Sequence, residues 1–478
     1  MTTTTRTSVT APALGVRVFE SEVCPADRAV VALLEEQLAG ADLAGPAVAL
    51  PDLYRKPVME SPSSIAVAMR DTIRPTLTSA ALNCGMALVA IDVGRPNLSA
   101  VREFLGAVRA AYPFPPGLRR VLSADEVIGC ASGGAVFASE MVGLDPAECE
   151  RFEEGGRIPV EPYGGTARVR RELGRMATQL SRLRFGTIGP NTHFVELQAV
   201  EDVFDPAAAR ALGVERGQVT LQYHGGDGVL NIQMGARFGR RLAGSRSLRA
   251  VMAVQKPLYQ LASARSAEQV RRRAGLYFSG GCPPVPRDGE EGERLMLSVA
   301  MAMNYGFAYR RATFATLAQL ARRHLGAAPR LVFDSPHNTI YEEAVDGVMS
   351  VVHRHNAARA LPPSRLRGHP VFASTGQPVL LPGTNRTCSY LCVADEGAVD
   401  SLCSANHGTG SIIADFVRRG RSGPDPHGRT TLRVRYGGAG EEVVPHLDDA
   451  GVDEGLRILV DHRIVRPVAR LRPFAGLT

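Results

Sequence analysis

Apolar residues recur at helical spacing through residues 29–43, at Val30, Leu33, Leu34 and Leu38. The period returns at Leu173, Met176, Leu180 and Leu183, which predicts an amphipathic helix over 169–183 with these four side chains on one face. A longer helical run is expected over 295–325. Elsewhere the pattern shortens to apolar runs cut by Pro, Ser and Gly. MALVAID, HFVELQAV after the glycine turns of GTIGP, and LVFD (331–334) read as strands. GQPVLLPGTNRTCSYLCVAD reads as two short strands around a Pro-Gly turn, while 281–294 and 420–430 read as exposed loops. There is no internal repeat. Helices and strands interleave without a clean break, so the expected class is α/β. A Thr-rich disordered tail is expected over residues 1–13, and one large domain over 14–478.

Composition narrows this picture only a little. At 478 residues, 45% hydrophobic and 22% charged, the chain is an ordinary globular protein with a sizeable core. A net charge of +7 permits an anionic partner without specifying one. Lysine occurs only at Lys56 and Lys256, so the positive charge is carried by arginine. With no tryptophan and 6% aromatics, a stacking platform for single-stranded nucleic acid is disfavoured. The N-terminus lacks an apolar h-region, and the best candidate span, MALVAIDVG, is interrupted by Asp92. The eight cysteines are scattered and form no CxxC pair. These features lead us to expect a soluble cytoplasmic protein with reduced thiols and no membrane contact.

The informative histidines share a setting. His193 (GPNTHFVE), His224 (QYHGGDG), His337 (FDSPHN) and His407 (SANHGTGS) each end a predicted strand or stand in a Gly, Pro or Asn turn. Cys84, in ALNCGM, stands the same way before a strand. Strand ends are where α/β proteins gather chemistry. Taken singly, such a histidine is a solvated or capping residue and such a cysteine a small buried hydrophobe. His324, His353, His355, His427 and His462 read as surface or helix-end residues. There is no GxxxxGK[ST] loop, HExxH or GxSxG motif. Gly225-Gly226-Asp227-Gly228 alone is a turn.

The order of the motifs says more. PDLYRKP, ALNCGM, FGTIGPNTHFVE, HGGDG, FDSPHN, HRHNAARALPP, GQPVLLPGTNRTCSY, HGTGS and the terminal VARLRPFAG together resemble the RtcB family of RNA ligases, in order, from about residue 15 to the C-terminus. The resemblance implies an RtcB-like α/β fold around a central metal cleft, with one or two Mn²⁺ ions, or Zn or another divalent metal in their place. It implies GTP as cosubstrate, RNA ends bearing a 3′-phosphate and a 5′-hydroxyl as partners, and a monomer. His407 matches the histidine that becomes guanylylated. Cys84, His193, His224 and His337 match the metal ligands; Glu196, Asn338, Thr384 and Ser389 match positions that touch GMP. Arg359 and Arg472 are candidates for further phosphate contact, with solvated arginine as their plainer reading.

The chain also departs from the pattern. Ala81 stands where the family has a metal-binding aspartate, for which Asn83, Asp92 or Asp52 are candidate substitutes. Thr192 replaces an asparagine, Asp227 and Ser411 replace arginines that hold phosphate, and Thr478 ends the chain about where a lysine packs on guanine. Imidazoles and thiolate are kept while groups that hold polyanion are lost. Two alternatives therefore stand beside RNA ligation: an enzyme acting on a phosphorylated small molecule, and a non-catalytic protein that binds RNA or a ligase.

Overall fold

The computed structural model describes residues 7–10, 15–112, 122–182, 185–186, 193–226, 228–239, 245–280, 283–437 and 440–478. Thr192 and Asp227, two of the departures, lie outside the described residues.

One helix organises the interior. Glu290–Leu325 is 36 residues long and buried on every side through residues 295–314, a helix enclosed all round. It starts five residues before the predicted run, behind a first turn carrying Glu290, Glu291 and Glu293, which suits the positive end of the helix dipole. Ala124–Val142 packs along it, opened by a capping box between Ser123 and Glu126.

The larger of two main sheets lies against this helix. Its strands run in the order Pro329–Pro336, Gly85–Ile91, Val219–Gly225, Phe194–Val203, Val465–Leu477, Ser389–Ala394 and Pro378–Leu381, with Thr430–Val434 and Glu441–Pro445 branching from the C-terminal strand. Strand alternation divides Gly85–Ile91 between two cores. Ala87, Val89 and Ile91 face the helix; Met86, Leu88 and Ala90 face a second apolar cluster. The other sheet has six strands, ordered Thr7–Thr10, Val16–Ser21, Ala47–Tyr54, Ser63–Met69, Val348–His355 and Asn338–Val345. Part of the segment expected to be a disordered tail is thus an edge strand, paired antiparallel to Val16–Ser21.

The expected α/β class holds. Other expectations need correction. The first helix spans Arg28–Leu38 and stops before Gly40, whose φ of +71° ends it. The helix expected over 169–183 is Gly165–Arg182, but Gly174 (φ +73°, ψ 158°) breaks it. Leu173 is therefore buried while Met176, placed on the same face by periodicity, is 38% exposed. His353 and His355 are not surface residues. Both lie buried in Val348–His355, His353 accepting the N–H of Arg74 (3.1 Å) and His355 meeting Ser61 Oγ (3.0 Å). Arg359 and Arg472 are likewise buried and not solvated. Arg359 pairs with Glu154 (2.6 Å), and Arg472 with Glu201 (2.8 Å) and Asp449 (2.6 Å). Among the described residues no helix is long and apolar enough to cross a membrane.

Candidate metal and nucleophile centre

Strand register brings the candidate residues to one end of the large sheet. Gly85 pairs with Gly225 on one side and Pro336 on the other, so Cys84, His224 and His337 meet where three strands begin or end. His337 is also a corner. The chain leaves the large sheet at Pro336 and enters the six-stranded sheet at Asn338, which puts this imidazole on the seam between the sheets. Two backbone bonds fix the corner: the His337 N–H donates to the Cys84 carbonyl (3.0 Å) and the Asn83 N–H to that of Asn338 (2.9 Å). His193 arrives just before Phe194, which sits opposite His224. His407 follows a short ladder in which Ser404–Asn406 pairs with Ala357–Arg359, and the Ala357 N–H donates to the His337 carbonyl (3.0 Å).

The side chains converge accordingly. Cys84 Sγ lies 3.2 Å from His224 Nε2 and 3.7 Å from His193 Nε2. Donor atoms of Cys84, His224 and His337 all fall within 4.8 Å of one another. The His337 and His407 rings stack at 3.5 Å and 13°, and His224 lies 5.1 and 5.4 Å from them. His337 Nδ1 is buried with no hydrogen-bond partner. A buried imidazole nitrogen without a partner, among a thiol and other imidazoles, fits a metal ligand. In a tetrahedral site with metal–sulfur and metal–nitrogen bonds of about 2.3 and 2.1 Å, the S···N edge is roughly 3.6 Å. Both thiol–imidazole pairs approximate that edge, so Cys84 would fit as a ligand beside either imidazole. A thiolate–imidazole set suits Mn, Zn, Co or Fe over Mg. Burial and then the neighbouring His407 hold His337 well below the usual histidine range, and burial pushes His407 down to about 3.

The expected nucleotide contacts form a second group beside the first. Glu196 lies on the same face of its strand as Phe194, and its carboxylate accepts from Gln198 Nε2 (2.8 Å). Gln198 also reaches Ser389 Oγ (3.4 Å), which accepts the Gly383 N–H (3.2 Å). Thr384 follows in that loop, and the Thr409 hydroxyl ties the loop to the His407 turn by donating to Pro382 (3.0 Å). Asn338 belongs to the metal side; its side-chain oxygen accepts the Asn356 N–H (2.9 Å). Burial raises Glu196 to about 8, so it is a neutral acid at pH 7.

Sequence reasoning missed Arg310. Its guanidinium, fully buried, grips Asp334 through two bonds (2.7 and 2.6 Å) and donates to the Asn83 carbonyl (2.5 Å) and side chain (2.7 Å). Asn83 has a φ of +59°, a left-handed turn that sets the direction of Cys84. At Gly226 (φ +112°) any Cβ would stand 2.5 Å from Arg310 Nη1, so the approach requires glycine. The only warning in the sequence was an arginine pair in an apolar helix and an acid ending LVFD.

The residues nominated to replace the missing aspartate are committed elsewhere. The Asn83 amide is held by Met303 and Arg310. Asp92 accepts from Gln218 (2.6 Å) at the far end of its strand. Asp52, raised to about 7 by burial, accepts the N–H groups of Ser411 (2.7 Å) and Ile412 (3.1 Å), capping the helix Gly410–Arg418.

Residues 39–475 match the family model described as tRNA-splicing ligase RtcB. The chain belongs to the RtcB family. It is 28% identical to the RNA-splicing ligase RtcB of Mycobacterium tuberculosis over 394 residues, covering 79% of this chain and 82% of that protein. It is 29% identical to the tRNA-splicing ligases RtcB of Pyrococcus abyssi (344 residues; 68% of this chain, 34% of that protein) and Methanopyrus kandleri (433 residues; 82% and 41%). The chain thus spans about a third of the length of the Pyrococcus relative. Ala81, where the family resemblance led us to expect an aspartate, brings no carboxylate of its own to the turn before Cys84.

Proposed function

We propose that this chain is a metal-dependent RNA ligase that uses GTP and a guanylylated His407 to join a 3′-phosphate end to a 5′-hydroxyl end. The observation that carries the reading is the placement of His407, half-buried and stacked on His337 beside the thiol–imidazole cluster. A Cβ at Gly410 would meet open space and one at Gly408 nothing nearer than 4.0 Å. A phosphate can therefore approach the imidazole closely.

Each residue has a task. His407, neutral at physiological pH, attacks the α-phosphorus of GTP; a P–N bond forms and pyrophosphate leaves. Cys84, His224, His337 and His193 would hold Mn²⁺ or another divalent ion, which when bound would neutralise polyphosphate charge. The RNA 3′-phosphate oxygen then takes the GMP and frees His407. The 5′-hydroxyl oxygen displaces GMP, forming the phosphodiester and releasing its proton to solvent. Glu196, Asn338, Thr384 and Ser389 hold the nucleotide. We read the enzyme as a cytoplasmic monomer, a setting in keeping with its seven described cysteines, none of them in a disulfide.

A second reading replaces RNA by a small phosphorylated acceptor. Ser411 favours it, because its backbone N–H is already taken by Asp52 and its short neutral side chain offers no charge to a polyanion. The test is incubation with GTP and Mn²⁺, intact mass for an adduct mapped to His407, then transfer to 3′-phosphate RNA against small phosphorylated acceptors. Metal-loaded protein that forms no adduct refutes both readings; an adduct that moves only to small acceptors refutes the first.

A further inference from the structure

A cavity of about 790 Å³ lies well away from the metal centre, between the helices Gly165–Arg182, Arg246–Gln260 and Ala267–Phe278 and the first turns of Glu290–Leu325. Its lining is dominated by arginine. The glutamates there are already engaged: Glu172 by the Tyr259 hydroxyl (3.1 Å), Glu290 by Arg273 (3.1 Å) and Glu293 by Arg168 (3.1 Å). Arg171, Arg175 and Arg265 line it too, exposed and without an ion pair among the described residues. Two of them, Arg171 and Arg175, flank the break at Gly174.

The floor is more telling. The break at Gly174 frees the carbonyls of Glu172 and Leu173, and Arg237 caps both with Nη1 and Nη2 (2.8 Å each). Its third nitrogen, Nε, is buried and has no partner. Arg237 is 2% exposed and stacks on Tyr259 at 4.2 Å. A buried guanidinium nitrogen without a hydrogen-bond partner, in a cavity also lined by three guanidiniums without ion pairs, leaves a site short of anion.

We infer that this cavity is a second phosphate-binding site, which docks the sugar–phosphate backbone of a single-stranded RNA on its way to the metal centre. The inference rests on the RNA-ligase reading above. Arg294, in the cavity, and Arg310, at the centre, are both on the long helix, and sixteen residues at about 1.5 Å each separate them by about 24 Å. That span equals about seven nucleotides of a stacked strand at roughly 3.4 Å per phosphate. A membrane headgroup is disfavoured because the site is concave and its exposed apolar lining is confined to Met176 and Leu258.

The test uses the full chain and a fluorescent RNA of about fourteen nucleotides with a 3′-phosphate, followed by anisotropy across a salt series. The variant is Arg171→Glu with Arg265→Glu, and Arg322→Glu with Arg323→Glu, exposed near the other end of the long helix, controls for net charge. Inorganic phosphate and free GTP serve as competitors, and adduct formation at His407 is followed in parallel. We expect the cavity variant to bind at least about tenfold more weakly, with a log–log salt slope smaller by about 1.4, since each single-strand phosphate contact contributes about 0.7. Adduct formation should be unchanged and the control pair near wild type. Equal binding by the cavity variant, equal loss in the control, or full displacement by inorganic phosphate at matched phosphate concentration overturns the site while leaving the ligase reading intact. Absence of RNA binding by the wild type overturns the site and the RNA substrate together, and the adduct assay then reports separately on His407. Should the charge reversal fail to fold, Arg171→Gln with Arg265→Gln carries the same prediction at smaller amplitude.

Discussion

Arg310→Met removes the guanidinium that joins the long helix to the turn presenting Cys84. Asp334, 1% exposed and bound by two of its nitrogens, is left as a buried charge without a partner. Breaking a buried pair in this way costs about 3–5 kcal/mol. The Asn83 carbonyl and side-chain oxygen each lose a donor as well, at about 1–3 kcal/mol for each acceptor left unsatisfied. Against a total stability of about 5–15 kcal/mol the single variant should be close to unfolding. The companion Arg310→Met with Asp334→Leu removes both charges, and such neutral replacement of a buried pair is often harmless to stability. It does not restore the grip on Asn83. Thermal unfolding by circular dichroism should therefore show a large loss in the single variant and partial recovery in the double, whose Asn83 oxygens still lack their donor, while chelator competition shows about 10–100-fold weaker metal binding in the recovered protein. A single variant within about 1 kcal/mol of wild type, or a double variant binding metal normally, would refute the idea that Arg310 positions the thiol.

Cys84→Ala and His337→Ala should each deplete bound divalent metal by elemental analysis of folded protein; unchanged content in both sinks the cluster. Because Ala81 supplies no carboxylate, the chain should hold one tight ion alone and a second only with a GTP analogue, as native mass spectrometry can count; two tight ions without nucleotide would contradict this. Burial raises Glu196 from 4.5 to about 8, so across that window the folded state holds a proton the unfolded chain has released, and stability falls as pH rises. At about 1.4 kcal/mol per unit this one group contributes a fall on the order of 5 kcal/mol. Glu196→Gln should flatten the melting profile between pH 5 and 8, and a variant profile parallel to wild type would show that Glu196 is not its source.

The sequence carried the site residues better than it carried what holds them. Cys84, His193, His224 and His337 were visible because each interrupts an apolar run at a glycine, proline or asparagine, and strand ends meet at one edge of a sheet. Arg310 was not, because a helix enclosed on all sides has no polar face against which a buried arginine stands out, and its partners Asn83 and Asp334 come from distant segments. His353 failed for a related reason. Its ring is satisfied by Arg74 and Val67, nearly three hundred residues away in the chain, so burial could not be read from VVHRHN. Met176 shows the limit of periodicity itself, since one left-handed glycine shifted every position after it.

The departures from the family pattern also bear on one another. On the proposed reading, Ala81 offers no anionic donor to the metal centre, and Ser411 offers no cation in the turn after His407. A metal with one carboxylate fewer keeps more of its positive charge for the phosphates it meets, since unneutralised charge is the stronger attractor in a site shielded from water. The two losses act in opposite directions on the same ligand, and the second is partly offset by the first. Neither touches the His337–His407 stack, the backbone bond from His337 to Cys84, or that from His407 to Asn356. On the proposed reading, a phosphate at this centre would meet different surroundings while the imidazole that would attack it is kept.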